Sequence, residues 1–264
     1  MKTAALLDTL RVSRPLAAVL PLGDDAYGAG RLSEFQANYA PSWGRPELLA
    51  ITHPVPGNHE YVPVTKGTGY FAFFNGDAPV GIAGATGQGY YSFDLGSWHL
   101  VALNSNDGCR AVSCAAGSDQ QTWLAADLAS HPARCTLAFW HNPRFQGGLE
   151  SGETEKVGPL WDTLYDYGAD VVLNGHEHNY QQLAPLDKSG ASDQLRGIRS
   201  FVVGTGGAGF HEIFGGPRDW AVETRIVRTH GVLELTLQSD RYDWRFVTVN
   251  GVVPPGASGS EACH

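Results

Sequence analysis

The chain has 264 residues, a formal net charge of −9 and 42% hydrophobic residues, and no linker or repeat divides it, so we expect one domain over residues 1–264. The acidic balance argues against a protein that binds nucleic-acid backbones, because such binding needs a basic face. No stretch approaches the ~18 apolar residues of a membrane span, and residues 1–15 lack a long apolar signal core, so we expect neither membrane insertion nor a signal peptide in this chain.

Apolar runs and periodic segments predict strands and helices that alternate along the chain. Buried strands are predicted at 16–22, 98–104, 135–140, 170–174 and 200–204. The clearest helix is 118–131, where Ser118 and Gln121 have capping-box spacing. A second helix is predicted at 156–168, and Gly168 ends it.

The last third of the chain has a different pattern. Residues 232–238 and 242–249 alternate apolar and polar side chains on either side of a turn, which is typical of an antiparallel hairpin with one face in water. Helices between strands, followed by a hairpin, favour an α/β fold over a barrel or a helix bundle. We therefore expect two mixed β-sheets packed as a sandwich and flanked by helices.

The four cysteines form no CxxC pair, which disfavours a zinc knuckle and favours two disulfides. Cys109 and Cys114 are close enough in sequence to pair locally, and Cys135 would then pair with Cys263. Four buried free thiols remain the alternative interpretation. Disulfides would place the full-length protein in an oxidising compartment, secreted or periplasmic.

Four polar clusters each follow an apolar run, at 23–27 (GDDAY), 57–60 (GNHE), 141–143 (HNP) and 175–178 (GHEH). Ligands bind at the carboxyl ends of strands in open α/β sheets, so the clusters are expected to converge. Their carboxylate, phenolate, amide and imidazole groups suit cations such as zinc, iron or manganese. In an extended segment, His176 and His178 point the same way, and Gly57 and Gly175 let the backbone pass close to the ions.

In this order, GD-x-x-Y, GNHE, a lone strand-end histidine and GH-x-H resemble the motifs of the calcineurin-like metallophosphoesterase superfamily. Tyr27, three residues after Asp24, resembles the purple acid phosphatase branch, and the surrounding sequence is similar to its bacterial secreted members. The resemblance runs from about residue 16 to the C-terminal end. It implies that the metal ligands are Asp24, Tyr27, Asn58, His141, His176 and His178.

The resemblance also implies a role for each of these residues and a reaction. Asp24 would bridge two divalent or trivalent ions, iron, zinc or manganese, with Tyr27 and His178 on the first ion. The remaining three ligands would hold the second ion. His59 would contact the phosphate and protonate the leaving group. The expected activity is hydrolysis of small phosphate esters, monoesters and also diesters, by a metal-bound hydroxide.

One family motif is missing from the sequence. The family has an Asp-x-His or Asp-x-Gly at the end of an earlier strand, which gives a carboxylate to the first metal. Upstream of Asp24 the chain has only Asp8 as an acidic residue, in a segment that we interpret as a surface helix. We therefore expect a domain truncated at its N-terminus relative to the family, a weak or empty first site and reduced activity. The alternative is a weakened or inactive metal-binding or interaction domain derived from a phosphatase.

Several polar residues outside the ligand set have two interpretations. Asn142 and Arg144 could bind phosphate, although Arg144 fits a surface charge equally well. His211 follows a glycine-rich segment that could line the pocket or form a plain turn. Packing roles are expected for His53, His99, His131, His230 and His264. The sequence indicates no particular oligomeric state.

Overall fold

The computed structural model describes residues 2–62, 65–148, 155–211, 215–216 and 219–264. The helices are α1 (Lys2–Ser13), α2 (Leu32–Glu34), α3 (Pro46–Leu49), α4 (Thr68–Phe74), α5 (Asp119–Ser130) and α6 (Gly158–Asp166). The strands are β1 (Val80–Gly81), β2 (Gly84–Ala85), β3 (Tyr91–Leu95), β4 (Trp98–Ala102), β5 (Cys135–Trp140), β6 (Val171–Asn174), β7 (Tyr180–Leu183), β8 (Arg199–Val203), β9 (Val222–Ile226), β10 (Gly231–Leu237), β11 (Arg241–Thr248) and β12 (Ser258–Ala262). Shorter turns of π- or 3₁₀-helix occur at Phe35–Tyr39, His59–Tyr61 and Asp219–Ala221.

The expected α/β fold is confirmed, with a large mixed sheet and flanking helices. The seven-stranded sheet has the order β3-β4-β5-β6-β8-β7-β9. Its central strands β4, β5, β6 and β8 run parallel, and β3, β7 and β9 pair antiparallel. All residues of β4, β5 and β6 are buried, as expected for parallel strands covered on both faces. These central strands confirm four of the predicted apolar runs.

The predicted helices also form, with the expected ends. The Ser118 side chain accepts a hydrogen bond from the Gln121 backbone N–H at 3.3 Å, so it caps α5 at its N-terminus. Leu124 and Leu128 of α5 are buried against the sheet. After α6, Gly168 adopts a φ of +71°, which only glycine takes without steric cost.

The predicted hairpin forms the second sheet, with the order β10-β11-β12 and antiparallel pairing throughout. Its apolar face packs against the large sheet, where Trp244 and Phe246 lie in the same core cluster as Phe139 and Phe201. One strand edge of this sheet, that of β10, has no neighbouring strand in the described part of the chain.

The strand prediction for residues 16–22 was wrong. The segment is extended, but it forms only one parallel bridge, between Val19 and Thr52. The Val19 N–H donates to the Ile51 carbonyl and the His53 N–H donates to the Val19 carbonyl, both at 2.8 Å. Pro21 lacks an N–H and interrupts the hydrogen-bond pattern.

Asp8 lies in a helix, as expected, and its carboxylate faces Arg45. The Arg45 guanidinium donates to both Asp8 oxygens at 2.8 and 2.9 Å, and this contact lowers the pKa of Asp8. Asp8 therefore belongs to an ion pair that fastens α1 to the segment before α3. None of the helices in the described ranges is long and apolar enough to cross a membrane.

The two predicted disulfides are confirmed. Cys109 pairs with Cys114, across a sequence separation of 5, and Cys135 pairs with Cys263, across a separation of 128. The second bridge connects the first residue of β5 to the C-terminal end of the chain. Closing so long a loop removes more entropy from the unfolded chain than the local bridge does.

His99 packs inside the fold, as expected for a histidine outside the clusters. The side chain is 1% exposed and lies between two carboxylates, at 2.8 Å from Asp94 and 2.9 Å from Asp127. Burial opposes its charge, but the hydrogen bonds to Asp127 and Asp94 outweigh burial and raise the pKa of His99. A charged imidazole is thus the form that this environment stabilises.

Replacing His99 by glutamine should lower the free energy of unfolding by about 1.5–3 kcal/mol at about pH 5.5, because it removes a charged hydrogen-bond donor. Folding raises the pKa of His99, so its contribution to the free energy of unfolding is complete below the unfolded-state pKa of about 6.5. That contribution is lost as the pH rises through the pKa of the folded state. Urea unfolding of wild type and His99→Gln should therefore differ more at about pH 5.5 than at about pH 9.

His131→Gln is the matched control, because His131 is exposed although its ring stacks on His99 at 4.7 Å. It should change the pH dependence of unfolding little. If the free energy of unfolding had the same pH dependence in both variants, the pH-dependent stabilisation would not come from His99.

Candidate metal centre

The four predicted clusters meet at one edge of the large sheet. His141 directly follows β5, and His176 follows β6 after a single glycine, so adjacent parallel strands deliver both imidazoles. The Gly175 N–H donates to the His141 carbonyl at 3.0 Å and fixes the two strand ends together. The turns that carry Asp24 and Asn58 reach the same place from the bridged segments 16–22 and 51–55.

Three donor atoms form a tight group. Asn58 Oδ1 lies 3.0 Å from His141 Nε2 and 3.0 Å from His176 Nδ1, and these two nitrogens are 3.2 Å apart. Asp24 Oδ2 lies 3.4 Å from His141 Nε2. Nitrogen or oxygen donors that each lie about 2.0–2.1 Å from one ion are separated by about 3.3 Å in a tetrahedral site. The spacing of this group fits a single cation.

A second group contacts the same oxygen of the Asp24 carboxylate. Tyr27 Oη is 3.1 Å from His178 Nε2 and 3.4 Å from Asp24 Oδ2. His176 and His178 therefore face the same site, as the sequence predicts, but each contributes to a different donor group. Asp24 is the residue that the two groups share.

Backbone carbonyls orient three of the imidazoles. His141 Nδ1 lies 2.7 Å from the Leu22 carbonyl oxygen and His59 Nδ1 lies 2.8 Å from that of Gly28. His178 Nδ1 contacts the Gly209 carbonyl in the same manner. A carbonyl only accepts, so each Nδ1 carries a proton and Nε2 is the ring nitrogen turned towards the site. This arrangement is typical of histidines that bind metal ions.

The backbone at the site is unusual for residues other than glycine. Asp24 has a φ of +56° and His176 a φ of +62°, both in the left-handed region. Such conformations cost free energy and persist only where the surroundings impose them. The turns that carry Asp24 and Asn58 also lie so close together that position 57 requires glycine. An added Cβ atom at Gly57 would lie 2.3 Å from Asp24 Oδ1.

The side chain of Glu60 connects two of the clusters, 23–27 and 57–60. Its buried carboxylate accepts backbone N–H groups from Gly57 at 2.7 Å, Asp24 at 2.9 Å and Ala26 at 3.3 Å. Burial and then the charge of Asp24 raise the pKa of Glu60 to about 7, against the effect of these hydrogen bonds. Sequence reasoning gave Glu60 no role, although its place in GNHE was a usable signal.

Two downward pKa shifts agree with a cation-binding site. Burial opposes ionisation of Asp24, but the adjacent His141 outweighs burial, so the pKa of Asp24 is lowered. Burial, and then the neighbouring His141, lower the pKa of His176 to about 3. Asp24 is therefore a carboxylate and His176 a neutral imidazole at neutral pH, which are the forms that bind metal ions.

His59 lies beside the donor groups rather than within them. Its backbone N–H donates to Asp24 Oδ1 at 2.9 Å, while its Nε2 stays 3.9 Å from Asp24 Oδ2. The ring packs on Tyr27, with ring centres 4.5 Å apart. This position agrees with the expectation that His59 is not a metal ligand.

The structure also bears on the polar residues that had two interpretations. His211 stacks on His178 with ring centres 3.8 Å apart and lies in the same cavity, so the glycine-rich segment before it borders the site. Arg144 forms an ion pair with Glu155 at 2.9 Å, and Asn142 accepts a hydrogen bond from Ser105 at 2.9 Å. Those contacts favour structural roles for Arg144 and Asn142.

Comparison with known proteins agrees with this geometry. The sequence profile described as calcineurin-like phosphoesterase matches residues 2–180, more than half of the chain. The chain belongs to this family. Members of the family use dinuclear metal centres, and the site has two donor groups that share one carboxylate.

Plant purple acid phosphatases are among the similar proteins. The chain is 30% identical to purple acid phosphatase 15 of Arabidopsis thaliana over 152 residues, which cover 53% of this chain and 27% of that protein. It is 31% identical to purple acid phosphatase 13 of the same plant over 168 residues, covering 59% and 29% respectively. The chain thus spans less than a third of the length of these two relatives.

A solved structure has the same fold. The purple acid phosphatase from yellow lupin (Lupinus luteus) seeds superposes with a TM-score of 0.77 at 19% identity, over 99% of this chain and 49% of that one. At this identity the likeness concerns the fold alone. It confirms that the sheets and helices described above are those of a metallophosphoesterase.

Replacing Glu60 by glutamine should weaken binding of Zn²⁺ by about 10- to 100-fold, as is usual when a group that orients metal ligands is lost. The amide NH₂ would face backbone N–H groups that need an acceptor, so the two turns would separate. Competition with a chelator of known affinity measures the change.

Glu177→Gln is the control for this substitution. Glu177 sits within the GHEH cluster and accepts a hydrogen bond from Gln146 at 3.3 Å, away from the two turns. It should bind Zn²⁺ like the wild type. Unchanged affinity in Glu60→Gln would show that the turns do not depend on Glu60.

Proposed function

We propose that the chain hydrolyses phosphate esters at a dinuclear metal centre, with monoesters as the main substrates and diesters as a second class. The convergence of two donor groups on the Asp24 carboxylate is the observation that carries this proposal. The family and its phosphatase relatives support phosphoester hydrolysis in general. The metal ligands that we propose are Asp24, Tyr27, Asn58, His141, His176 and His178.

The two ion positions differ in their donors. Among the described residues, the second position has Asn58, His141 and His176 beside Asp24, while the first has Tyr27 and His178. Fewer donors mean weaker binding, so we propose that the first ion is held more loosely. When bound, the ions activate a water molecule as the nucleophile and neutralise charge on the phosphate.

His59 is the proton donor in this proposal. Its Nδ1–H is occupied by the Gly28 carbonyl, so Nε2 is the atom left to exchange a proton with substrate. Imidazole is the side chain that most often serves as a general acid. We propose that Nε2–H of His59 protonates the leaving oxygen of the ester.

We also propose a substrate class, a domain organisation and a compartment for the protein. The substrate is a small phosphate ester rather than a nucleic-acid polymer, since the net charge is −9. The described residues form one metallophosphoesterase domain. The two disulfides favour an oxidising compartment, so the protein is secreted or periplasmic.

Replacing Asp24 by asparagine should reduce metal-dependent release of nitrophenol from nitrophenyl phosphate by about 10²- to 10³-fold, because both donor groups lose their shared charge. Steady-state kinetics after loading with Zn²⁺, Mn²⁺ or Fe³⁺ measure the effect. Asp8→Asn is the control, since Asp8 lies in α1 and contacts Arg45 instead of the site.

Two results would sink the proposal. One is an absence of turnover in protein that holds two ions per chain, and the other is full activity in Asp24→Asn. A single tightly bound ion with no hydrolysis would instead favour a metal-binding domain without catalysis.

The two ion positions should also be separable by substitution. His178→Ala should remove the more weakly held ion and leave the other in place, whereas His176→Ala should lower affinity for the tighter ion by at least about tenfold. Metal content after dialysis at graded free Zn²⁺ concentrations distinguishes the two cases. Loss of both ions in His178→Ala would show that the positions are not independent.

A further inference from the structure

A second group of side chains that can bind a metal ion lies away from the candidate metal centre. One ring nitrogen each from His99 and His131 and one carboxylate oxygen of Asp127 lie within 4.8 Å of one another. His99 is the second residue of β4 and pairs with Thr136, the second residue of β5. His141 follows the other end of β5, about 16 Å further along the strand. The two groups therefore lie at opposite ends of the same sheet.

Alternation along β4 places the His99 side chain on the face of the sheet that α5 covers. Its neighbours Trp98 and Leu100 pack in the core cluster shared with the three-stranded sheet, whereas Val101 packs in the cluster that contains Leu124 of α5. Since successive side chains of a strand point to opposite faces, His99 points the same way as Val101. The imidazole is buried there, beside the last turn of α5.

Both ring nitrogens of His99 face carboxylates. Nδ1 lies 2.8 Å from Oδ1 of Asp94, the residue directly opposite on β3, and Nε2 lies 2.9 Å from Asp127 Oδ2. A histidine that binds a metal ion usually donates its other ring N–H to a carboxylate, which fixes the ring and makes the metal-facing nitrogen more basic. Asp94 has the position for that role, and Nε2 is then the nitrogen that faces Asp127.

Asp127 and His131 bring two further donors from the C-terminal end of α5. Asp127 Oδ1 accepts a hydrogen bond from the Ser92 hydroxyl at 2.8 Å, which holds the carboxylate against β3. His131 Nδ1 lies 3.3 Å from the same oxygen. Donors at about 2.0–2.1 Å from one Zn²⁺ ion are separated by about 3.3 Å in a tetrahedral site. The distances from the Asp127 carboxylate to the two imidazoles are close to that spacing.

The charges and the donor types of this group favour a divalent transition-metal ion. Asp94 and Asp127 bring two negative charges to the buried imidazole of His99, and a proton on that ring neutralises only one of them. A divalent ion in place of that proton neutralises both. Two imidazoles and one carboxylate suit Zn²⁺, whereas Mg²⁺ and Ca²⁺ take oxygen ligands.

We propose that His99, Asp127 and His131 bind one Zn²⁺ ion, with water in the fourth position and Asp94 orienting His99. The ion joins the β3–β4 hairpin to the C-terminal end of α5. A pocket of about 320 Å³, lined by Asp94, Ser130 and His131 among others, gives the ion access from solvent.

Binding requires a rotation of the His131 ring. This ring stacks on His99, with ring centres 4.7 Å apart and planes 10° from parallel, and its Nδ1 lies 2.8 Å from the Asp127 carbonyl oxygen. An imidazole nitrogen binds a metal ion in the plane of its ring, so two rings stacked in parallel do not both point at one ion. The His131 side chain is 45% exposed, which leaves space for it to turn. The ion therefore replaces the ring stack and the contact with the carbonyl.

The first test counts bound ions. The whole chain is freed of ions with a chelator and dialysed against about 100 µM free Zn²⁺. We expect this site to have a Kd of about 10 µM or tighter, so His99→Gln and His131→Gln should each hold one ion per chain fewer than the wild type. His264→Gln is the matched control, because His264 also contacts an aspartate, Asp170 at 3.0 Å, outside this group. It should hold as many ions as the wild type.

The second test locates the ion by nuclear magnetic resonance of the imidazole nitrogens. Zn²⁺ should shift the signals of His99 Nε2 and of one ring nitrogen of His131, and it should leave those of His264 unchanged. The same concentration of Ca²⁺ should shift none of them. Both tests measure binding, so their results are independent of phosphatase activity.

Three outcomes would overturn the proposal. They are an equal ion count in wild type and His131→Gln, ring signals of His99 and His131 that Zn²⁺ leaves unchanged, and a Kd weaker than about 10 µM. If His99→Gln does not fold, His131→Gln decides the question, because His131 lies at the surface.

Discussion

The structure of the site depends on the buried carboxylate of Glu60. A charge in the interior requires several hydrogen bonds, and backbone N–H groups of Asp24, Ala26 and Gly57 provide them. The same bonds fix the turn that carries Asp24 to the turn that carries Asn58. The proximity of Asp24 and Glu60 is unfavourable, since each charge opposes the other, and a bound cation would offset it.

The other ligands reach the centre from different parts of the fold. Adjacent parallel strands place His141 and His176, and carbonyls of Leu22 and Gly209 orient His141 and His178. Segment 16–22 therefore matters to the chemistry although it forms only one bridge.

The residues whose positions could be predicted are those with strong local signals. The cap at Ser118, the turn at Gly168 and the β10–β11 hairpin form as the sequence pattern predicts. Segment 16–22 has an equally apolar sequence but no ladder, because strand formation needs partners that composition does not reveal. Glu60 was missed although it stands in the GNHE cluster, because its partners are backbone groups that the sequence does not identify.

The sequence by itself determined the fold class, the disulfide pairs and the residues of the candidate centre, because periodicity, cysteine spacing and strand-end motifs are local properties. Only the tertiary structure decided how those residues are oriented and brought together. It placed His176 with Asn58 and His178 with Tyr27, since ring orientation depends on carbonyls distant in sequence. It likewise left segment 16–22 with one bridge and no ladder, because strand formation depends on which partners the fold places alongside.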